Sequence, residues 1–232
     1  MRGWLVRSVN LQRFKEKGID IGYRNSFREK EFQLVGGQPF LAAPHNLGLM
    51  LNVDWFNPFK HTQYSVGVMY LVVMNLPRSK RYKIENVILV GLIPGPSEPP
   101  LHLNSYLDPL VEELQQLWKP GVQYVSLPTV LRAAVLCVAC DVPAARKVCG
   151  FLGHTARLGC SKCLKEFVTG SFGDKVNYGG FSECSARNES DHREQAQRSL
   201  EKNTASSKDG VERESGSRFT SLMHLEYFNC VR

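Results

Sequence analysis

The sequence predicts an α/β fold built on a mixed sheet, and three observations carry that prediction. First, three largely apolar runs follow one another with short turns between them, at 49–56, 64–76 and 84–93. Second, the period then changes: Leu103, Leu107, Leu110, Leu114 and Leu117 fall at helical spacing. Third, a further apolar run at 130–139, interrupted only by Arg132, leads straight to Asp141. Serial strands with short connections form an antiparallel meander. A strand that returns after a helix can join the same sheet in parallel.

Each element has its own justification. The run 49–56 is short and apolar with one acid, Asp54, near its end, as in a buried strand that carries a carboxylate. The run 64–76 is rich in Val, Met and Tyr and closes at Asn75-Leu76-Pro77. The run 84–93 closes at Pro94-Gly95-Pro96. The helix over 103–118 keeps Glu112, Glu113, Gln115 and Gln116 off its apolar face. Asn104 or Ser105 is its expected cap, and Pro120-Gly121 stops it. The run 130–138 reads as a central strand, although a helix can be drawn through it equally well, because periodicity does not decide a continuous apolar run. Asp141 as a cap, with Pro143 in the first turn, opens a short helix through Val148.

Beyond Val168 the composition turns polar. Residues 169–190 read as a Gly-, Ser- and Asn-rich loop, 191–203 as a polar helix, and 204–217 as an exposed, charged, Ser-rich segment. Apolar residues return over 219–228. The expected organisation is an N-terminal segment 1–45 of short strands or loops, a core 46–168, a polar insertion 169–217, and a returning core segment 218–232 that stops early.

Composition narrows the function classes. The chain has 232 residues, 43% of them hydrophobic, which is enough to bury a core. Its net charge of +7 favours an anionic partner, either nucleic acid or an anionic membrane surface. Of the seven cysteines, an odd number, Cys137, Cys140, Cys149 and Cys160 fall in apolar or Gly-flanked positions with no regular spacing, which is not a secreted disulfide framework, so a reducing compartment is expected. Residues 1–14 alternate basic and apolar residues and show no signal-peptide pattern. The longest apolar stretch, 66–74, is too short to span a bilayer. A soluble, intracellular protein is expected.

Two sets of residues could carry chemistry. Asp54 and Asp141 both stand at the ends of expected strands, and neighbouring strands can bring such acids together. Two-metal phosphoryl transfer needs that arrangement, because Mg²⁺ is a hard ion that takes oxygen ligands. Three antiparallel strands, a helix and a strand ending in Asp make the pattern of a ribonuclease-H-like core. The plainer reading is that an acid after a strand caps a turn or helix. The second set is Cys160-Ser161-Lys162-Cys163, a C-x-x-C on a Gly-led turn. That spacing suits half of a tetrahedral zinc site, a reduced cysteine pair, or a redox motif. For zinc, His192 is the first choice as a further ligand and Cys184 the second, with His154 and His224 also available. Lys60, Arg78, Lys80, Arg81 and Lys83, and separately Lys147, Arg157, Lys162 and Lys165, form basic groups that could meet phosphates.

Taken in order, the motifs resemble one family, the CACTA (En/Spm-type) DNA transposases. Asp54-Trp55-Phe56-Asn57-Pro58-Phe59-Lys60 resembles the family's first-aspartate motif, followed by Tyr64-Ser65 and Met74-Asn75-Leu76-Pro77. Ile93-Pro94-Gly95-Pro96 with Pro99-Pro100, then Tyr106-Leu107-Asp108-Pro109-Leu110 and Leu117-Trp118, resemble the next blocks. Ala139-Cys140-Asp141-Val142-Pro143 resembles the second-aspartate motif. Gly150-Phe151-Leu152-Gly153-His154 then leads to Gly159-Cys160-Ser161-Lys162-Cys163. His192-Arg193-Glu194-Gln195-Ala196 and Tyr227-Phe228-Asn229-Cys230-Val231-Arg232 resemble later segments.

The resemblance implies a ribonuclease-H-like core that cuts and joins DNA in the nucleus. It makes Asp54 and Asp141 the first two acids for Mg²⁺ or Mn²⁺, and Cys160 and Cys163 the family's paired cysteines with a zinc role. DNA is the implied partner and self-association a further one; no membrane is implied. Asn229-Cys230 stands where the family has Asp-Pro, and the family's third acid falls beyond Arg232. The expectation is therefore a catalytic-core fragment, inactive as this chain. The alternatives are a DNA- or transposase-binding regulator and a decayed transposon remnant.

Overall fold

The computed structural model describes residues 39–97, 103–125, 127–179 and 184–231. Most of the N-terminal segment 1–45, the Pro99-Pro100 pair and Arg232 lie outside them. The chain divides into two compact units. The first comprises Met1–Pro100, Ser105–Cys140 and His224–Phe228. The second comprises Leu101–Asn104, Asp141–Met223 and Asn229–Arg232.

The first unit holds a four-stranded mixed sheet. Its strands are β1 (Leu47–Phe56), β2 (Val66–Val73), β3 (Val87–Ile93) and β4 (Ala133–Val138), in the spatial order β3-β2-β1-β4. β1 runs antiparallel to β2, with Leu51 opposite Leu71 and Asp54 opposite Val68. β2 runs antiparallel to β3, with Val68 opposite Leu92. β4 runs parallel to β1, with Leu47 opposite Ala133 and Leu51 opposite Val138. The apolar run at 130–139 is therefore a strand and not a helix. β1 is flanked on both edges and is buried without a break from Leu47 to Val53, so its side chains on both faces leave water. Asp54 is the first exposed residue along it.

Side chains fix the turns around the sheet. Asn75 accepts from the Gly48 N–H at 2.8 Å and donates to the Asn46 carbonyl at 3.0 Å. Asn46 in turn donates to the Phe40 carbonyl at 2.8 Å. The first four-residue helix, α1 (Arg78–Arg81), follows β2. Its Arg81 is buried and donates to the carbonyls of Met74 and Leu76, and this holds the chain reversal after β2. The stretch expected to begin β3 at residue 84 is instead a 3-10 turn, Ile84–Asn86.

α2 (Asn104–Trp118) buries Leu107, Leu110, Leu114 and Leu117, the stripe that its spacing predicts. Asn104, expected as a cap, instead donates to the Phe219 carbonyl and accepts from the Ser221 N–H. At the other end of α2, Trp118 packs with Phe40 and Ala134, and Tyr227 leans on it with ring centroids 4.5 Å apart.

The second unit contains α3 (Val142–Val148), β5 (Thr169–Val176), α4 (Glu189–Leu200) and α5 (Ala205–Ser215). One expectation is corrected here. The loop expected at 169–190 contains a strand, β5. The segment 204–217 is largely exposed, as expected, but it is ordered as the helix α5, capped by Thr204 and closed by Gly216 at φ 72°. α5 is anchored by Glu212, which is buried with Arg218 at 2.8 Å and accepts from the Ser199 hydroxyl at 3.1 Å. Gly150 is a position where only glycine fits. Its φ is 75°, and a Cβ there would lie 2.2 Å from the Arg218 carbonyl oxygen.

Candidate functional site

Asp54 stands where β1 leaves the core. Its carboxylate is exposed and, among the described residues, accepts only the adjacent Trp55 N–H, at 2.8 Å. Asn52 and Met50 share its face of the strand, by the two-residue period. Across the β1–β2 ladder Asn52 pairs with Tyr70, which puts that phenol diagonally beside Asp54. Burial raises the Tyr70 pKa above its ordinary value, and the negative charge of Asp54 raises it further. The phenol is therefore neutral beside the acid and able to donate a hydrogen bond toward it. Sequence reading passed over Tyr70. A tyrosine inside an apolar strand gives no signal until the register is known.

Asp141 follows β4 and is also exposed. Its Oδ1 accepts the Ala144 N–H at 2.8 Å, so it caps α3. Capping and metal binding are compatible, because a carboxylate has two oxygens and several lone pairs. The residues just before the two acids meet within the first unit: the Val53 N–H donates to Cys140 Sγ at 3.1 Å. One step earlier, the Ala139 N–H donates to the Leu51 carbonyl at 2.9 Å. The parallel ladder of β1 and β4 itself ends at Leu51 and Val138, after a shift of register between Leu49 and Met50, and these two bonds lie just beyond its end.

The C-x-x-C lies in the second unit. Cys160 is partly exposed and Cys163 is buried. Burial and the neighbouring thiols push Cys163 up to about 11. For Cys160 burial acts upward too, but the Lys162 N–H, Cys163 and the Arg146 guanidinium outweigh it and leave the thiol below its usual value. Among the described residues, no group of three or more His, Cys, Asp or Glu side chains stands arranged around a metal position.

His192, the first choice for a zinc ligand, is corrected by its surroundings. Its Nδ1 lies 2.9 Å from the Ser217 hydroxyl and its Nε2 lies 3.0 Å from the Cys149 carbonyl. A carbonyl only accepts, so Nε2 carries the proton and Nδ1 accepts from Ser217. The ring stacks on Phe151 with centroids 4.2 Å apart. Burial depresses its pKa to about 4. Both nitrogens are committed, and His192 acts as a neutral core residue.

The basic groups divide. Lys60, Arg78, Lys80 and Lys83 are exposed, whereas Arg81 is committed to backbone carbonyls. Arg157 pairs with Glu166, and Lys162 Nζ donates to the Val231 carbonyl at 2.9 Å. Arg187, which sequence reading missed, is buried. It donates to the carbonyls of Cys160, Leu158 and Ser215. A single arginine in a polar loop looks like surface charge in a sequence. Its burial depends on carbonyls brought together by the fold.

Comparison with family sequence models identifies the class as transposase. The family is described as Transposase family tnp2; its model matches residues 24–212, more than half of the chain, and the chain belongs to that family. Membership implies an interaction with DNA in general. No curated protein matches the chain significantly.

Proposed function

We propose that this chain carries residues of the metal-dependent nuclease core of a CACTA-type transposase, with Asp54 and Asp141 as two of its metal-binding acids. One observation supports this most directly. β1 and β4 are parallel neighbours, and each acid stands three residues beyond the paired positions Leu51 and Val138. Together with the antiparallel β1-β2-β3 meander, that order agrees with a ribonuclease-H-like sheet. The donor set fits a hard cation, since both candidates are exposed carboxylates that keep oxygen lone pairs unused. Mg²⁺ or Mn²⁺ held there would stabilise charge on the attacking and leaving oxygens of a phosphodiester. Asp54 would contribute an open carboxylate, and Tyr70 would steady it by donating a hydrogen bond. Asp141 would be held in direction by its own helix cap. The substrate would be the DNA of transposon ends, in the nucleus.

The test is Mn²⁺ binding by the 232-residue chain, followed by electron paramagnetic resonance. Asp54→Asn and Asp141→Asn should each weaken binding by at least about tenfold, the loss of one charged ligand. Asn is also a good helix cap, so Asp141→Asn separates loss of charge from loss of the cap. Mn²⁺ binding that neither substitution alters would reject the assignment.

A further inference from the structure

Two phenylalanines stand in water beside Asp54. Phe56 closes β1, shares the face of Asp54 by the two-residue period, and is 49% exposed. Phe59, in the connection from β1 to β2, is 54% exposed. Every residue from Phe56 to Gln63 is exposed, yet the connection is braced. The Asn57 side chain accepts the Phe59 N–H at 3.0 Å and donates to the Thr62 carbonyl at 3.1 Å, which ties its two halves together. Phe59 meets Tyr64 edge to face, with ring centroids 5.5 Å apart and planes at 78°. Tyr64 is in turn wedged against the turn after β3. A Cβ on Gly95 would lie 2.5 Å from Tyr64 Cε1, and the Ser65 N–H donates to the Pro96 carbonyl at 2.9 Å. An edge-to-face contact covers at most one face of the Phe59 ring, so the other is open to a ligand.

A single exposed phenylalanine needs no explanation. Two of them around a lysine, on a braced loop beside an exposed acid, make a surface with a definite chemical bias. Lys60 and His61 are exposed, and no acid stands between Asp54 and Val66. Lys60 attracts phosphate. A phenyl ring has no group with which to read a base edge or hold a phosphate; it offers a flat apolar face. A nucleic-acid single strand presents flat base faces alternating with phosphates. In a duplex the same faces are covered by neighbouring base pairs.

We infer that the connection 57–65, with Phe56, is a platform for unpaired DNA. Phe59 stacks on one base, Phe56 on a second, and Lys60 meets an adjacent phosphate. The inference rests on the reading of Asp54 as a metal ligand for its place in the reaction, and it deepens that reading. The strand at Asp54 would be locally opened, not intact duplex. A carboxylate repels phosphate, so a strand brought to Asp54 needs a hold close by. Stacking and Lys60 supply one on the same element, without any metal.

The experiment is fluorescence anisotropy of the full chain with a short labelled DNA oligonucleotide, single-stranded and as the matching duplex, in EDTA. Phe59→Ala should weaken single-strand binding about tenfold, within the range for loss of one stacked base. Duplex binding should be unchanged. Phe59→Trp should keep single-strand binding, because an indole is also a stacking face. Lys60→Ala should lower the slope of log affinity against log salt by about 0.7, one phosphate contact on a single strand. Both side chains are exposed, so the variants should fold, and equal urea midpoints check this. No loss with Phe59→Ala, or equal loss on single strand and duplex, would overturn the platform. So would a wild-type dimer in size-exclusion chromatography that Phe59→Ala dissociates, because the ring would then belong to a second copy. The two readings fail separately. Mn²⁺ binding unaltered by Asp54→Asn rejects the acid, whereas the Phe59 result is read in EDTA and does not depend on metal.

Discussion

Acid should weaken this protein through one histidine. His192 is buried and neutral in the folded chain, with a pKa near 4, against 6.5 for a free histidine. The cause is first its burial. The nearby Arg187 and Arg193 push the same way, while the hydrogen bond to the Cys149 carbonyl opposes them only in part. Because the folded pKa is depressed, the unfolded chain takes up the proton first as pH falls. The stabilising contribution of a neutral His192 is therefore complete above about pH 6.5 and is lost progressively down to about pH 4. At about 1.4 kcal/mol per pH unit, that window amounts to about 3 kcal/mol. The assay is urea unfolding of the wild type and of His192→Gln at a series of pH values from 7 downward. Other groups titrate in both proteins and cancel in the difference. The wild type should lose about 3 kcal/mol more than the variant between pH 7 and pH 4. Parallel stability curves for the two proteins would refute the reasoning.

Two further outcomes can be measured in the same way. Glu212→Gln leaves the buried Arg218 without its counter-charge and disturbs the Ser199 hydrogen bond, so it should cost about 3 kcal/mol, seen as a lower urea midpoint. Gly150→Ala meets both a positive φ and the Arg218 carbonyl, so its loss in thermal or urea unfolding should exceed about 1 kcal/mol.

The sheet was legible in the sequence because its strands are long apolar runs whose ends are marked by acids or prolines. The exposed places of Asp54 and Asp141 just beyond the buried strand residues were legible for the same reason: a charge at the end of an apolar run stands out. The parallel pairing of β4 with β1 was also foreseen. The second unit was harder to read, because its stability comes from buried polar groups. In α5 only Val211 and Glu212 are buried. A helix held by one valine and an ion pair has no apolar stripe to read, although Thr204 and Gly216 were fair cap signals. The strand β5 is Thr-Gly-Ser-Phe-Gly-Asp-Lys-Val, with two glycines, a composition that reads as loop. His192 was misread because a histidine chosen by sequence spacing gives no sign of which atoms its ring will meet.

The order of the chain has a consequence for its synthesis. The first unit is closed by His224–Phe228, which emerge only after nearly all of the second unit has been made. Glu226 accepts from the Trp118 indole N–H at 2.8 Å and pairs with Lys119, and the Tyr227 hydroxyl accepts from the Val135 N–H at 3.4 Å. A ribosome that has passed β4 has thus released every strand of the sheet but not the residues that seal the end of α2. Any product ending between 141 and 223 would expose the Phe40–Trp118 pair as an open apolar seam, a target for proteolysis or chaperone binding.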